Sequence, residues 1–153
     1  MNKKVLYVGW ASAIVAMIAV DQLAKWLARR LLAGNPLTGR FVGLVLTMNS
    51  GVAFGLFGGR SWVIPVNALL GCTVFAAGLG ALLHGDRGLA SGLLIIFAGF
   101  CGNFIDRVTM GKVTDFMWIR GWSVFNLADC FVTAGAILSG LALVFPQWWR
   151  SHG

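Results

Sequence analysis

Four long apolar runs, separated by short polar stretches, organise this chain. The first extends from Val5 to about Leu27 and carries Asp21 and Lys25 near its end. The second, Trp62 to Leu83, is 22 residues without a charge; the third, Leu89 to Ile105, is 17. The fourth, Val124 to Phe145, is 22 residues with Asp129 as its one charge. At about 1.5 Å per residue, runs of this length match a hydrocarbon core of roughly 30 Å. Trp26, Trp62, Trp122, Trp148 and Trp149 lie at or near the run ends, where interfacial belts place tryptophan. The pattern predicts four transmembrane helices, over about 5–27, 62–83, 89–105 and 124–145.

The N-terminus reads Met1-Asn2-Lys3-Lys4 before its apolar run, in the manner of a secretory signal peptide, and Ala11-Ser12-Ala13 has the A-x-A form. Cleavage there would follow only about six apolar residues, short of the usual ~7–15, and the run continues past it. A retained first helix is the better reading. Between the first two spans, Arg40 to Thr47 is rich in β-branched and aromatic residues and predicts a short strand. Glycines 51, 55, 58 and 59 then predict turns and close backbone approach. The expected fold is an all-α integral membrane protein: one membrane-embedded domain over 1–153, with a small β-rich extramembrane subdomain in loop 1, about 28–61.

Composition agrees. Apolar residues make up 58% of the 153 and charged ones 11%, with mean hydropathy +0.82. Soluble chains carry roughly 25% charged residues, so lipid must cover part of this surface. The net charge of +7 reflects scarcity of acid: there is no Glu, and Asp stands only at 21, 86, 106, 115 and 129. Lys and Arg are scattered between apolar runs, which suits lipid head groups better than nucleic acid. Cys72, Cys101 and Cys130 are odd in number and form no CxxC, so neither a disulfide framework nor a zinc site is expected. The histidines, His84 and His152, form no HExxH. No metal and no cofactor is expected.

Connectivity sorts the polar residues. With four spans, the end of helix 1, loop 1, the end of helix 3, loop 3 and the start of helix 4 share one face. Asp21, Asn49, Asn103, Asp106, Asp115, Asn126 and Asp129 all fall there. Asp86 alone is opposite, beside His84 and Arg87 in a tight turn. The acid-rich face also carries Arg29, Arg30, Arg40, Arg60, Arg107, Lys112 and Arg120, against Lys3, Lys4, Arg87 and Arg150 on the other. A positive-inside count would make the acid-rich face cytoplasmic; some of these charges can serve a site instead, so orientation stays open.

Polar groups near membrane depth usually have a partner or a job. Asp21 and Lys25 are spaced i, i+4 and can pair; Asn103, Asp106 and Arg107 fall at i, i+3 and i+4. Mutual neutralisation and helix packing explain these as well as function does. Asp115, expected in loop 3 and not on a helix, has Lys112 as its nearest basic neighbour in sequence; Asp129, three residues after Asn126 in the first turns of helix 4, has no cation at helical spacing. Two carboxylates brought together share a proton and titrate as a pair. One could then act on water as a base while the other polarises a carbonyl. Spacing alone does not bring the two together. A serine nucleophile finds no GxSxG and no free base.

The ordered motifs add what spacing cannot. Asp21-Gln22-Leu23-Ala24-Lys25, Asn49-Ser50-Gly51-Val52-Ala53-Phe54-Gly55, Gly102-Asn103-Phe104-Ile105-Asp106-Arg107, Val113-Thr114-Asp115-Phe116 and Phe125-Asn126-Leu127-Ala128-Asp129 resemble, in order, the five motifs of bacterial lipoprotein (type II) signal peptidases. The resemblance covers the chain from Asp21 to the end of helix 4. It implies an intramembrane aspartic endopeptidase that removes the signal peptide from diacylglyceryl-modified prolipoproteins, just before the lipidated cysteine. It makes Asp115 and Asp129 the catalytic pair. Asn49, Gly51, Asn103, Arg107 and Asn126 would line the site, and Asp21, Lys25 and Asp106 would support it. It implies lipid-modified prolipoproteins and membrane lipids as partners, with no obligate protein partner. It also implies a multi-pass protein of the bacterial inner membrane, termini cytoplasmic and active site near the outer face. Two departures are mild: Val52 stands where the family often has Ala, and Cys130 where it often has a small polar residue. Two other classes compete. An ion-coupled transporter would need an acid near mid-membrane, whereas Asp21 lies about 24 Å along helix 1 from Val5. A non-catalytic assembly factor would tolerate shape-preserving Asp→Asn changes.

Overall fold

The computed structural model describes residues 3–51 and 62–150. Val52, Ala53, Phe54 and Gly55 of the second motif, with the turns expected around Gly58 and Gly59, lie outside the described residues. Helices α1 (Lys3–Leu31), α2 (Val63–Leu83), α3 (Arg87–Met110) and α4 (Leu127–Val144) are each long and apolar enough to cross a membrane. A short α5 (Pro146–Arg150) follows. Strands β1 (Leu37–Thr38), β2 (Val42–Asn49) and β3 (Val113–Ile119) form one antiparallel sheet in that order.

The four expected spans are present, with shifted ends. Helix α1 continues from the expected Leu27 to Leu31, with Arg29 and Arg30 in its last turn, where the helix dipole favours cations. Helix α3 starts at Arg87 because Asp86 caps it, its carboxylate accepting from Leu89 N–H at 3.0 Å. It runs past Ile105 to Met110 and stops on Gly111, at φ +70°, whose N–H donates to Arg107 O at 2.9 Å. Asp106 and Arg107 do not end the helix, because both turn into the protein and are buried. Helix α4 begins at Leu127, three residues after the expected Val124. Asn126 takes an extended backbone, φ −133° and ψ −178°, as N-cap, and Phe125 pairs with Met117 instead of entering the helix.

The strand expected at Arg40–Thr47 forms as Val42–Asn49. The segment expected as loop 3 is a correction: Val113–Ile119 is a strand, and Asp115 sits on it. β3 pairs with β2 in the register Thr47↔Asp115 and Asn49↔Val113, so the sheet joins loop 1 to loop 3. Residues 113–116 are all buried, which removes the apolar–polar alternation that marks a strand in sequence.

Burial is inverted relative to a soluble domain. The largest fully buried side chains are Lys25, Asn126, Thr114, Asp21 and Asp106, while Leu69 and Val144 are each 67% exposed on the surfaces that face lipid. Small residues let α3 and α4 touch. A Cβ at Gly99 would strike Ala128 O and lie 2.8 Å from Val132 Cγ2, and one at Gly135 would lie 2.7 Å from Ile96 Cγ1. A small apolar cluster of Ala28, Leu32 and Phe116 fastens the end of α1 to β3 beneath the polar residues.

Candidate active site

Lys25 is the organising cation. Its Nζ lies 2.9 Å from Asp21 Oδ2, as the i, i+4 spacing predicts, and 3.6 Å from Asp106 Oδ2. It also donates to Asn103 Oδ1 at 2.9 Å. All three ionic side chains are fully buried. The expected Asp106/Arg107 partnership is not what forms. Neighbours on a helix point about 100° apart, so Asp106 turns to α1 while Arg107 turns to the loop after β2. Arg107 Nη2 donates to Gly51 O at 2.9 Å and its Nη1 to Asn103 O at 3.4 Å.

Asp21 and Asp106 each fix a neighbouring element. Asp21 Oδ1 accepts from the Ala128 N–H at 2.9 Å, satisfying a free donor at the start of α4 with a carboxylate from α1. The approach requires Gly102, whose Cβ would lie 2.5 Å from Asp21 Oδ2. Asp106 Oδ2 accepts from the Thr114 N–H at 2.8 Å and so anchors β3 one residue before Asp115.

The start of α4 then places Asp129. Asn126 Oδ1 accepts from the Asp129 N–H at 3.0 Å, and Asp129 Oδ2 accepts from the Asn126 N–H at 3.1 Å. This reciprocal capping box holds the carboxylate against the helix end. Asp129 Oδ1 accepts from Asn103 Nδ2 at 2.9 Å. Asp115 accepts from Asn126 Nδ2 at 2.6 Å on Oδ1 and from Asn49 Nδ2 at 3.0 Å on Oδ2. Asn126 Nδ2 donates also to Asn103 Oδ1 at 3.1 Å. The two carboxylates are thus joined through Asn126 and Asn103, whose amides donate to one carboxylate each.

Asp115 and Asp129 both line a cavity of about 260 Å³, with Asn49, Asn103 and Arg107 in its wall. Asp21, Lys25 and Asp106 do not line it; they lie beneath it as its foundation. Burial pushes the Asp115 carboxyl up to about 6, and the negative charge of Asp129 adds to that rise. The hydrogen bonds from Asn49 and Asn126 and the charge of Lys25 pull it part of the way back. Neither Asp115 nor Asp129 is ion-paired among the described residues, although sequence spacing concealed that Lys25 lies near enough to act on Asp115.

Three residues of the network were not singled out by sequence. Gln22 Nε2 donates to Gly102 O at 3.0 Å and to Asp21 Oδ2 at 3.2 Å. Arg29 Nη1 donates to Thr114 Oγ1 at 2.7 Å, tying α1 to β3. Asp21, Lys25 and Arg29 form an i, i+4, i+8 row along one face of α1, and that row was the available signal. Thr114 had none, because its role depends on where β3 pairs.

The model of the signal peptidase (SPase) II family matches residues 13–145. The lipoprotein signal peptidase of Methylobacterium sp. (strain 4-46) is 37% identical over 97% of this chain and 93% of its own length. That of Moorella thermoacetica is 36% identical, over 85% of this chain and 89% of its own. A solved bacterial membrane enzyme superposes with a TM-score of 0.76 at 25% identity, covering 89% of this chain and 87% of the other. With five motifs in order, four membrane-spanning helices and a match of this extent, the chain belongs to the signal peptidase II family of peptidases.

Proposed function

We propose that this protein is an intramembrane aspartic endopeptidase that removes the signal peptide from diacylglyceryl-modified prolipoproteins, cutting just before the lipidated cysteine. The observation that carries the reading is the pair of carboxylates, Asp115 and Asp129, facing one cavity without an ion-pair partner among the described residues. The relatives' name, lipoprotein signal peptidase, supports the substrate class.

In this reading a water lies between the two carboxyls. Asp129 takes a proton from it as the oxygen attacks the scissile carbonyl. Asp115, whose acidity burial weakens, carries the shared proton and gives it to the carbonyl oxygen. The tetrahedral intermediate collapses as the C–N bond breaks, the leaving amine takes the proton held by Asp129, and the hydroxyl proton returns to Asp115. Asn49, Asn103 and Asn126 hold the carboxyls at fixed angles, and Arg107 with the Gly51 carbonyl shapes the cavity wall. Asp21, Lys25 and Asp106 set the positions of α4 and β3 from below. Both termini lie in the cytoplasm and the active site lies near the outer face of the inner membrane.

The test is purified protein in detergent with a lipidated prolipoprotein. Cleavage is expected, lost in Asp115→Asn and in Asp129→Asn and indifferent to chelators. Unchanged turnover in either variant would sink the dyad. A reporter fused at Gly153 is expected to be active only in the cytoplasm, and periplasmic activity would reverse the topology.

A further inference from the structure

Two grooves leave the cavity that holds Asp115 and Asp129, and they differ in kind. One, of about 610 Å³, touches Asp129 and runs along α4 past Cys130, Thr133 and Ile137, with Phe125 on its other wall. Its α4 wall belongs to a spanning helix, while Ile119, Arg120, Gly121 and Trp122 close its extramembrane end. The other, of about 570 Å³, touches Asp115 and Asn49 and is lined by the hydroxyl residues Thr47, Ser50 and Ser123 together with Met48 and Val124. It lies on the extramembrane sheet. Asp129 does not line the second groove, nor Asp115 the first.

A prolipoprotein is equally divided at its cleavage point. Its signal segment and acyl chains are apolar, while the chain after the cysteine is polar and heads for water. We propose that the groove beside Asp115 receives the first residues after the lipidated cysteine, with Thr47, Ser50 and Ser123 limiting their size. The inference rests on the peptidase reading above. Strand register gives Thr47 a special place. It is the direct cross-strand partner of Asp115, and paired residues stand side by side on one sheet face. Asn49, two residues on, shares that face and bonds Asp115. The residue that follows the cysteine therefore meets Thr47 as soon as it leaves the dyad. Thr47, Ser50 and Ser123 offer hydrogen bonds to an extended backbone and form the wall that a side chain beside Asp115 must fit, whereas Cys130, Thr133 and Ile137 on the other side suit acyl chains.

Lipidated peptides that differ only in the residue after the cysteine, Gly, Ser, Leu or Trp, test this. The wild type is expected to favour Gly and Ser. Thr47→Trp is expected to lower kcat/KM for Leu relative to Gly by about a further tenfold, and Thr47→Ala to shift the ratio the opposite way. A Gly-to-Leu ratio unmoved by both variants overturns the proposal. A non-cleavable lipopeptide with a photoreactive side chain at that same position gives a readout independent of turnover and of the stability of Thr47→Trp. Cross-links are expected within residues 47–50 and 123–124, and cross-links confined to 130–137 overturn the proposal. If the wild type cleaves none of the peptides, the peptidase reading fails, while the cross-link map still decides the groove.

Discussion

Asn126 donates a 2.6 Å hydrogen bond from Nδ2 to Oδ1 of Asp115, on a strand eleven residues earlier in the chain. The same side chain caps α4 by accepting from the Asp129 N–H at 3.0 Å. One amide thus orients one carboxylate and fixes the helix that carries the other. Replacing it separates these roles. Asn126→Ser keeps a good cap but is too short to reach Asp115 and Asn103, so a loss of about 1–3 kcal/mol for the buried groups left unpaired is expected, while kcat falls by about 100-fold, the scale of a 1 Å misplacement. Asn126→Ala is expected to lose about a further 1 kcal/mol with the cap. Thermal unfolding in detergent beside steady-state kinetics checks both, and full activity in Asn126→Ser would remove the bridge from the mechanism.

In the proposed mechanism the proton on Asp115 sets a pH limb. With the carboxyl raised to about 6, its proton is lost as pH climbs through that value, so kcat/KM is expected to decline on that alkaline limb. Asn49 donates to the carboxylate and favours its charged form, so Asn49→Ala is expected to move the limb to higher pH. A purely structural role for Asn49 would lower activity without moving the limb.

The same shift links to stability with a definite sign. Between about pH 4 and 6 the folded protein retains the Asp115 proton while the unfolded chain has released it, so stability falls as pH rises through this window and levels off above it. Asp115→Asn has no such proton to release. The stability of wild type minus that of Asp115→Asn is expected to fall by at most about 3 kcal/mol from pH 4 to above 6. A flat difference across that range would contradict a raised carboxyl.

Lys25 compensates two buried carboxylates at once, Asp21 at 2.9 Å and Asp106 at 3.6 Å. Lys25→Met leaves both without a cation, and a loss of about 3–5 kcal/mol is expected, read by unfolding or by yield of folded protein. The double change Lys25→Met with Asp21→Asn is expected to recover part of that loss. No recovery would show that the network does not act as a charge-balanced unit.

Gly99 sets the α3–α4 spacing at the level of Ala128, one residue before Asp129. Gly99→Ala forces Ala128 O and Val132 to give way, and a loss of about 1–3 kcal/mol with reduced turnover is expected. Gly140, in α4 with nothing within 4 Å of an added Cβ, is the control. Gly140→Ala is expected to be neutral or to stabilise by about 0.5–1 kcal/mol. Equal effects at both positions would dismiss close helix approach as the cause.

How much was legible in the sequence depended on how local each signal was. Four spans followed from run length, because backbone groups in lipid must be satisfied within their own helix. The Asp21–Lys25 pair followed from i, i+4 geometry, and the placing of four acids on one face from the parity of the spans. The ordered motifs named the family, and the two aspartates proposed as the catalytic pair rest on the same resemblance.

What only the tertiary structure decided is everything that depends on distant pairing. Asp106 answers to Lys25 and Thr114 and not to the adjacent Arg107, because neighbours on a helix diverge while α1 and β3 arrive from elsewhere. Asp115 belongs to a strand whose partner lies in loop 1, and a strand buried on both faces carries no alternation to announce it. The chain from Asp115 through Asn126 and Asn103 to Asp129 crosses three elements. No spacing along the chain encodes such contacts, since each exists only where packing sets the ends of α3, β3 and α4 side by side.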